Sequence, residues 1–216
     1  LAIYVNRANS PLTFSGKYFR MDTNINMTGS FTPIGKATSL DENGNISNSY
    51  PFQGNFNGGG HKITNLTVST NNFVGLFGNI QNATIENIGI DSTCTFTCPS
   101  HEWPRYYGGT LVAYSNNSNF YNCYSLGKIT SNSNWWSIGG LIGGSKQDTI
   151  KNCYSRAKIF HNSTSDFQSS FYGGLIGEVI NTNTFLLLNS YSAPDTIPSG
   201  SWARPSGLPG GKVGAL

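Results

Sequence analysis

Apolar and polar positions along this chain follow neither a long helical period nor one continuous alternation; they come in short bursts that recur. GLFGNIQNATIENIGI starts at Gly75, GTLVAYSNNSNFYNCYS at Gly109, GGLIGGSKQDTIKNCYS at Gly139 and GGLIGEVINTNTFLLLNSYS at Gly173. Leu76 to Ile88, Leu111 to Cys123 and Leu141 to Cys153 each span twelve residues, while the spacing between copies runs from 30 to 35. A constant block with variable spacers predicts one fixed structural turn with loops inserted at one place. Alternation around Ile150, and again around Cys153 and Ser155, predicts short strands with one inward face.

No single block can bury its own apolar face, so the blocks must stack. The expectation is an all-β chain: a parallel β-helix of about six coils over residues 14–197, with neighbouring strands roughly 4.8 Å apart. One inward row is read as Leu66, Ile88, Cys123, Cys153 and Ser190, another as Val68, Ile90, Ser125, Ser155 and Ser192. Both rows become small and polar toward the C-terminus, so the core should narrow there or hold water. The break between strands falls on an asparagine in every copy: Asn65, Asn87, Asn122, Asn152 and Asn189. Asparagine tolerates the left-handed backbone of a sharp corner, and stacked amides can hydrogen-bond along the axis as a ladder.

Residues 1–13 are expected to cover the first coil, since an open end exposes apolar side chains and unpaired backbone. Residues 198–216, rich in Pro and Gly, read as a linker or docking arm in which Trp202 and Leu208 are the candidate anchors. Docking on another copy in a head-to-tail contact that does not close would build a fibre.

Charged residues are only 11% of the 216, whereas aromatics reach 13%; a disordered chain this polar would lack the aromatics. The net charge of +3 is scattered without a basic run, which gives no reason to expect nucleic acid. No apolar stretch approaches the roughly 20 residues of a membrane helix. The leading leucine is read as a processed or trimmed start. Six Asn-x-Ser/Thr acceptors, at Asn26, Asn45, Asn65, Asn82, Asn116 and Asn162, suggest N-linked glycans and a secreted or cell-surface location. Of the four cysteines, Cys94 and Cys98 flank the segment CTFTC, where a bridge would pin a loop and free thiols are the alternative. Cys123 and Cys153 should be vertical neighbours in the core, as stacked thiols or as an axial bridge.

The stretches KYFRMDTNINMTGSFTPIG from Lys17, PFQGNFNGGGHKITNLTV from Pro51, NFVGLFGNIQNATIENIGI from Asn72 and SIGGLIGGSKQDTIKNCYS from Ser137 resemble the GLUG-motif repeats of microbial surface proteins. Those proteins include adhesins, filamentous-haemagglutinin-like proteins and accessory regions of some secreted IgA-type metallopeptidases. The resemblance covers about residues 14 to 193. It implies a right-handed parallel β-helix and an extracellular setting, and its motifs are strand and turn residues, not site residues.

The search for chemistry finds little. Catalytic β-helices acting on polysaccharides need clustered carboxylates, but the ten acids, Asp22, Asp41, Glu42, Glu86, Asp91 and Glu102 among them, do not recur in one row. His61 in GGGHKI reads as a turn residue, and His101 and His161 lack Cys or His partners at metal-ligand spacing. No cofactor or metal site is expected. The strongest binding candidate is the set of aromatics before the glycine pairs, Phe73, Tyr107 and Phe171, which strand alternation puts on one face: facing out they would form a strip suited to sugar or protein contact, the alternative being an ordinary packed row or one covered by loops. The reading is therefore a non-catalytic structural or adhesive module, partnered by its own kind or by other surface proteins and glycans. A polysaccharide lyase or hydrolase, or the accessory region of a secreted peptidase, is the alternative. Ice or flat-surface binding ranks last, because Thr64, Thr67, Thr84 and Thr149 make no continuous outward row.

Overall fold

The computed structural model describes residues 1–7, 12–37, 39–40, 46–47, 49–100, 106–134, 136–162, 170–180, 184–194 and 196. These form an all-β solenoid of about five turns, built from five parallel sheets that run along its length. Sheet 1 stacks Tyr18–Arg20, Asn55–Asn57, Thr84–Glu86, Asn119–Tyr121, Thr149–Lys151 and Leu186–Leu188. Sheet 2 stacks Ile25–Asn26, Lys62–Thr64, Gly89–Ile90, Tyr124–Ser125, Tyr154–Ser155 and Tyr191–Ser192. Sheet 3 holds Thr67–Ser69, Thr95–Cys98, Lys128–Ser131 and Lys158–His161, and sheet 4 holds Phe73–Val74, Tyr106–Gly109, Trp136–Gly139 and Phe171–Gly173. Sheet 5 completes each turn with Phe77–Gln81, Val112–Asn116, Ile142–Lys146 and Ile176–Ile180. Among the described residues a sixth rung has strands in sheets 1 and 2, and the Ile159 N–H of sheet 3 donates to the Thr196 carbonyl that follows them. An antiparallel pair, Ser39–Leu40 with Ile46–Ser47, sits within the first turn, and a short helix, Ala2–Val5, sends Val5 into the core.

The strands are two to five residues long because a corner interrupts each of them. Between sheets 1 and 2 the corner residues Asn87, Asn122, Asn152 and Asn189 all have φ between 47° and 56°, and Asn82, Asn117 and Gln147 repeat the device between sheets 5 and 1. Such angles strain most side chains, and asparagine tolerates them best after glycine. Where sheet 4 turns into sheet 5 the solution is different. A Cβ on Gly109 or Gly139 would collide with the carbonyl of Val112 or Ile142 in the same turn, so only glycine lets the backbone fold back that tightly.

Side chains fill the tube in register. Phe19, Phe56, Ile85, Phe120, Ile150 and Leu187 form the inner row of sheet 1, and Val68, Phe96, Ile129 and Ile159 that of sheet 3. The first turns are phenylalanine-rich: Phe52 lies 5.8 Å from Phe19 and 5.4 Å from Phe77, ring centre to ring centre. Further along, the inner row of sheet 2 runs Ile25, Ile63, Ile90, Ser125, Ser155, Ser192. The expected shift to small polar residues is thus present, and the hydroxyls pair inside: Thr110 Oγ1 lies 2.6 Å from Ser125 Oγ and from the Gly140 carbonyl.

Three expectations need correction. Val68 is not in the serine row but in sheet 3, and Leu66 stands below Cys94 and not below Ile88, as the Thr95 N–H bond to the Leu66 carbonyl shows. Asn65 leaves the ladder with them. The cause is local: the second turn passes from sheet 1 to sheet 2 through Gly58–His61, with φ of 62° at Gly59 and 81° at Gly60, where later turns use two residues. Asn65 therefore marks the next corner, and Asn57 takes its place at the foot of the ladder.

Candidate functional site

The amide ladder runs Asn57, Asn87, Asn122, Asn152, Asn189. Asn87 Nδ2 donates to Asn57 Oδ1 at 3.3 Å, Asn122 to Asn87 at 2.9 Å, Asn152 to Asn122 at 3.2 Å and Asn189 to Asn152 at 3.4 Å. Each amide is thus consumed by the rung below, a structural role. Asn65 makes its own cross-rung bond to Asn26 at 2.8 Å, and Asn117 donates to Asn82 at 2.7 Å.

Beside the ladder, the sequence reading missed a row of tyrosines on the outer face of sheet 2. Tyr124 and Tyr154 stack with ring centres 5.2 Å apart and planes 7° apart, and Tyr154 and Tyr191 follow at 5.5 Å and 9°. The signal was present, since Tyr follows each ladder asparagine by two residues in NCYS, NCYS and NSYS. Burial raises the phenol pKa of Tyr154, with its two neighbouring tyrosines adding to the effect.

Phe73 and Tyr107 do share an outward row with Phe171, with Ser137 between the last two. They are not an exposed strip. Phe73 and Tyr107 are buried at 4% and 3% exposure, in a second apolar cluster with Ala37, Ala113 and Tyr114, and Ile46 packs on it from the antiparallel pair. The Tyr107 and Tyr114 rings, from sheets 4 and 5, lie 5.2 Å apart, and Ala37 and Ile46 of the first turn pack in the same cluster. Burial, with the charges of Asp148 and Glu178, pushes the Tyr114 phenol up to about 12. Further along, Ser137 Oγ donates to Glu178 Oε2 at 2.8 Å.

The described acids are dispersed. Asp22 lies near Arg20 at 3.9 Å on the first rung, Glu86 accepts from Asn57 at 2.7 Å on sheet 1, and Asp91 pairs with Lys62 at 2.7 Å. That Lys62 hydrogen bond holds the Asp91 carboxyl below its ordinary range. Asp148 is inside the tube, fully buried, in the inward position held by Ala83 and Ser118 on earlier turns. Its carboxylate accepts the Ser118 N–H at 2.8 Å and the Ser145 hydroxyl at 2.6 Å. Burial outweighs these bonds and raises its pKa to about 6. A lone acid in KQDT offered no sequence signal for this.

His61 closes the Gly58–Gly60 turn through its N–H to the Gly58 carbonyl, in keeping with its turn reading. His161 Nδ1 lies 2.7 Å from the Tyr172 hydroxyl, and burial lowers its pKa. Among the described residues no three His, Cys, Asp or Glu side chains group as a metal site, and no helix is long and apolar enough to cross a membrane.

The cysteine expectation also changes. Cys94 and Cys98 are buried free thiols. Both point inward from one extended segment with Phe96 between them, and four residues of strand separate their Cα atoms by roughly 13 Å, beyond the reach of a bridge. Cys123 and Cys153 are free, buried and stacked as expected. Of the glycosylation acceptors, Asn26, Asn65, Asn82 and Asn162 are exposed and Asn116 is half-buried. Asn45, His101, Trp202, Leu208 and the arm from 198 onward lie outside the described residues.

One surface feature follows no ladder. The exposed large apolar side chains among the described residues are Ile3, Tyr4, Leu12, Tyr18 and Ile25 at the first turn, and Leu186, Leu188 and Tyr191 on the last rung. Leu186 and Leu188 face outward where the preceding rungs carry Thr149 and Lys151. Comparison with family models, with curated proteins and with solved structures returns no match for this chain.

Proposed function

We propose that this chain is a non-catalytic extracellular module that acts by contact, its two ends meeting those of other copies to build a fibre or surface coat. The observation that carries the reading is that, among the described residues, the exposed large apolar side chains lie at the first turn and the last rung, with Leu186, Leu188 and Tyr191 at 46%, 41% and 49% exposure. Burying such residues is the main driving force of association. A tube whose apolar positions lie at opposite ends associates head to tail, and contacts of that kind propagate instead of closing. The exposed acceptor asparagines and the resemblance to GLUG-type surface repeats support the extracellular setting. Among the described residues, Asp22, Glu86, Asp91, Asp148 and Glu178 lie on different parts of the solenoid, whereas Asp41, Glu42 and Glu102 lie outside the described residues; this spread supports a scaffold over the alternative of a polysaccharide-active enzyme, which needs two converging carboxylates.

The test is sedimentation velocity and negative-stain microscopy of the full chain beside the double variant L186S/L188S. Concentration-dependent head-to-tail oligomers of the wild type, lost in the variant, are expected. A wild type that stays monomeric up to its solubility limit overturns the assembly reading. Mass mapping of Asn26, Asn65, Asn82 and Asn162 in native material tests the setting: all four unmodified counts against it.

A further inference from the structure

Cys123 and Cys153 occupy the same position on successive turns, one residue past the corner asparagine. The strands on both sides are locked in register, Tyr121 with Lys151 and Tyr124 with Tyr154. The two Cα atoms are therefore one rung apart, roughly 4.8 Å, within the separation a disulfide spans. Both side chains point into the tube, and Cys153 Sγ lies 3.4 Å from the Cys123 N–H. No other pair among the four cysteines is placed this way: Cys94 and Cys98 lie along one extended segment, with Cys94 just before the strand Thr95–Cys98.

Access comes from the last rung. Cys153 lies directly beneath it, where Ser190 Oγ accepts its N–H at 3.0 Å. Among the described residues that rung has strands in sheets 1 and 2, with Leu186, Leu188 and Tyr191 exposed. Elements with few neighbours open locally at the lowest cost, and opening this one uncovers Cys153 before Cys123.

We propose that Cys123 and Cys153 are a disulfide-forming pair, closed along the solenoid axis by exchange with a low-molecular-weight disulfide such as oxidised glutathione. Cys153, deprotonated, attacks one sulfur of the oxidant; the oxidant's S–S bond breaks and one thiolate leaves, taking up a proton. Cys123 then attacks the Cys153 sulfur of the mixed disulfide and expels the second thiolate. Two electrons pass from the protein to the oxidant, which leaves as two thiols. The order suits the site: the hydrogen bond from Cys123 lowers the Cys153 pKa, whereas burial raises that of Cys123. The bond ties two turns whose cysteines are 30 residues apart, a loop whose closure in the unfolded chain favours the folded tube. It does not depend on the assembly reading.

The experiment uses the full chain made in a bacterial host, unfolded in urea and refolded in a glutathione redox buffer, so that burial does not limit access. Free thiols are then blocked by alkylation and the protein is digested with trypsin without reduction. The expected product joins the peptide of residues 106–128 to that of 152–156, with Cys94 and Cys98 alkylated, and its urea midpoint lies above that of the reduced protein. Folded protein treated with oxidised glutathione should give the same link more slowly. In the C123S variant the mixed disulfide should stop at Cys153. Refolded protein in which Cys123 and Cys153 are alkylated, or linked to Cys94 or Cys98, overturns the proposal.

Discussion

Asp148 offers the sharpest test of the solenoid interior. It is a fully buried acid with a carboxyl pKa of about 6 against an ordinary 3.8. Below pH 3.8 both folded and unfolded chains carry the proton, and the site costs nothing as a charge. Between 3.8 and about 6 the folded chain keeps a proton that the unfolded chain has lost, so stability falls as pH rises. Above about 6 the buried group is a carboxylate and the full penalty stands. The gap between the two pKa values corresponds to roughly 3 kcal/mol at neutral pH.

The D148N variant removes the charge and keeps the shape. Its amide oxygen can still accept the Ser118 N–H, and its NH2 can donate to Ser145 Oγ. The variant should match the wild type near pH 4 and be about 2–3 kcal/mol more stable at pH 7.5, each kcal/mol moving the melting temperature of a chain this size by about 2–4 °C. Reading the difference between the two proteins across pH 3.5 to 8, by thermal or urea melts, cancels contributions from acids such as Asp91, whose lowered pKa acts with the opposite sign and at lower pH. A difference that stays flat over this range, or a variant less stable at pH 7.5, refutes the reasoning: the Ser145 and Ser118 bonds would then have solvated the charge fully.

Two further predictions address the stacking. Phe120 is fully buried in the inner row of sheet 1 between Ile85 and Ile150, so F120A should lose about 3–5 kcal/mol in urea unfolding; a loss under 1 kcal/mol would mean that the row is not packed as described. At Asn122, with φ of 54° and ladder bonds both above and below, N122G keeps the corner and loses the ladder at a cost of about 1–2 kcal/mol, while N122A loses both and should cost about 1 kcal/mol more. Equal costs would show that the left-handed corner is not what selects asparagine.

The sequence revealed the stacking wherever the path between two marker residues kept one length. Twelve residues from Leu111 to Cys123 and from Leu141 to Cys153 fix the same corner twice, so Asn122 over Asn152 and Cys123 over Cys153 were legible. The second turn broke that rule with the Gly58–His61 turn, and NLTV was matched to NIGI one corner too early. Alternation put Phe73, Tyr107 and Phe171 together in one row, without fixing which face of the strand turns outward. Exposure was not legible, because whether an outward ring is wet depends on where a distant insertion folds. Ala37 and Ile46 pack against the cluster of Phe73 and Tyr107 by tertiary contact, which local period does not encode. For Cys94 and Cys98, spacing suggested proximity, but an extended backbone made the same four residues a separation.

In a ladder of this kind most side chains are explained by the rung beneath them. An asparagine is there because an amide below needs a partner, and a phenylalanine because a ring below leaves a gap of its own shape. Residues that interrupt their rows require another cause. Ser137 breaks an aromatic row and binds Glu178; Asp148 follows Ala83 and Ser118 into the buried interior; Leu186 and Leu188 replace a threonine and a lysine on the outer face. The first two side chains are buried and hydrogen-bonded within the chain. The leucines have no such satisfaction on the described surface, since water is a poor neighbour for them. On the proposed assembly reading, row-breaking residues left without a partner among the described residues are where one copy of the solenoid meets another, which makes the last rung the place to test that contact.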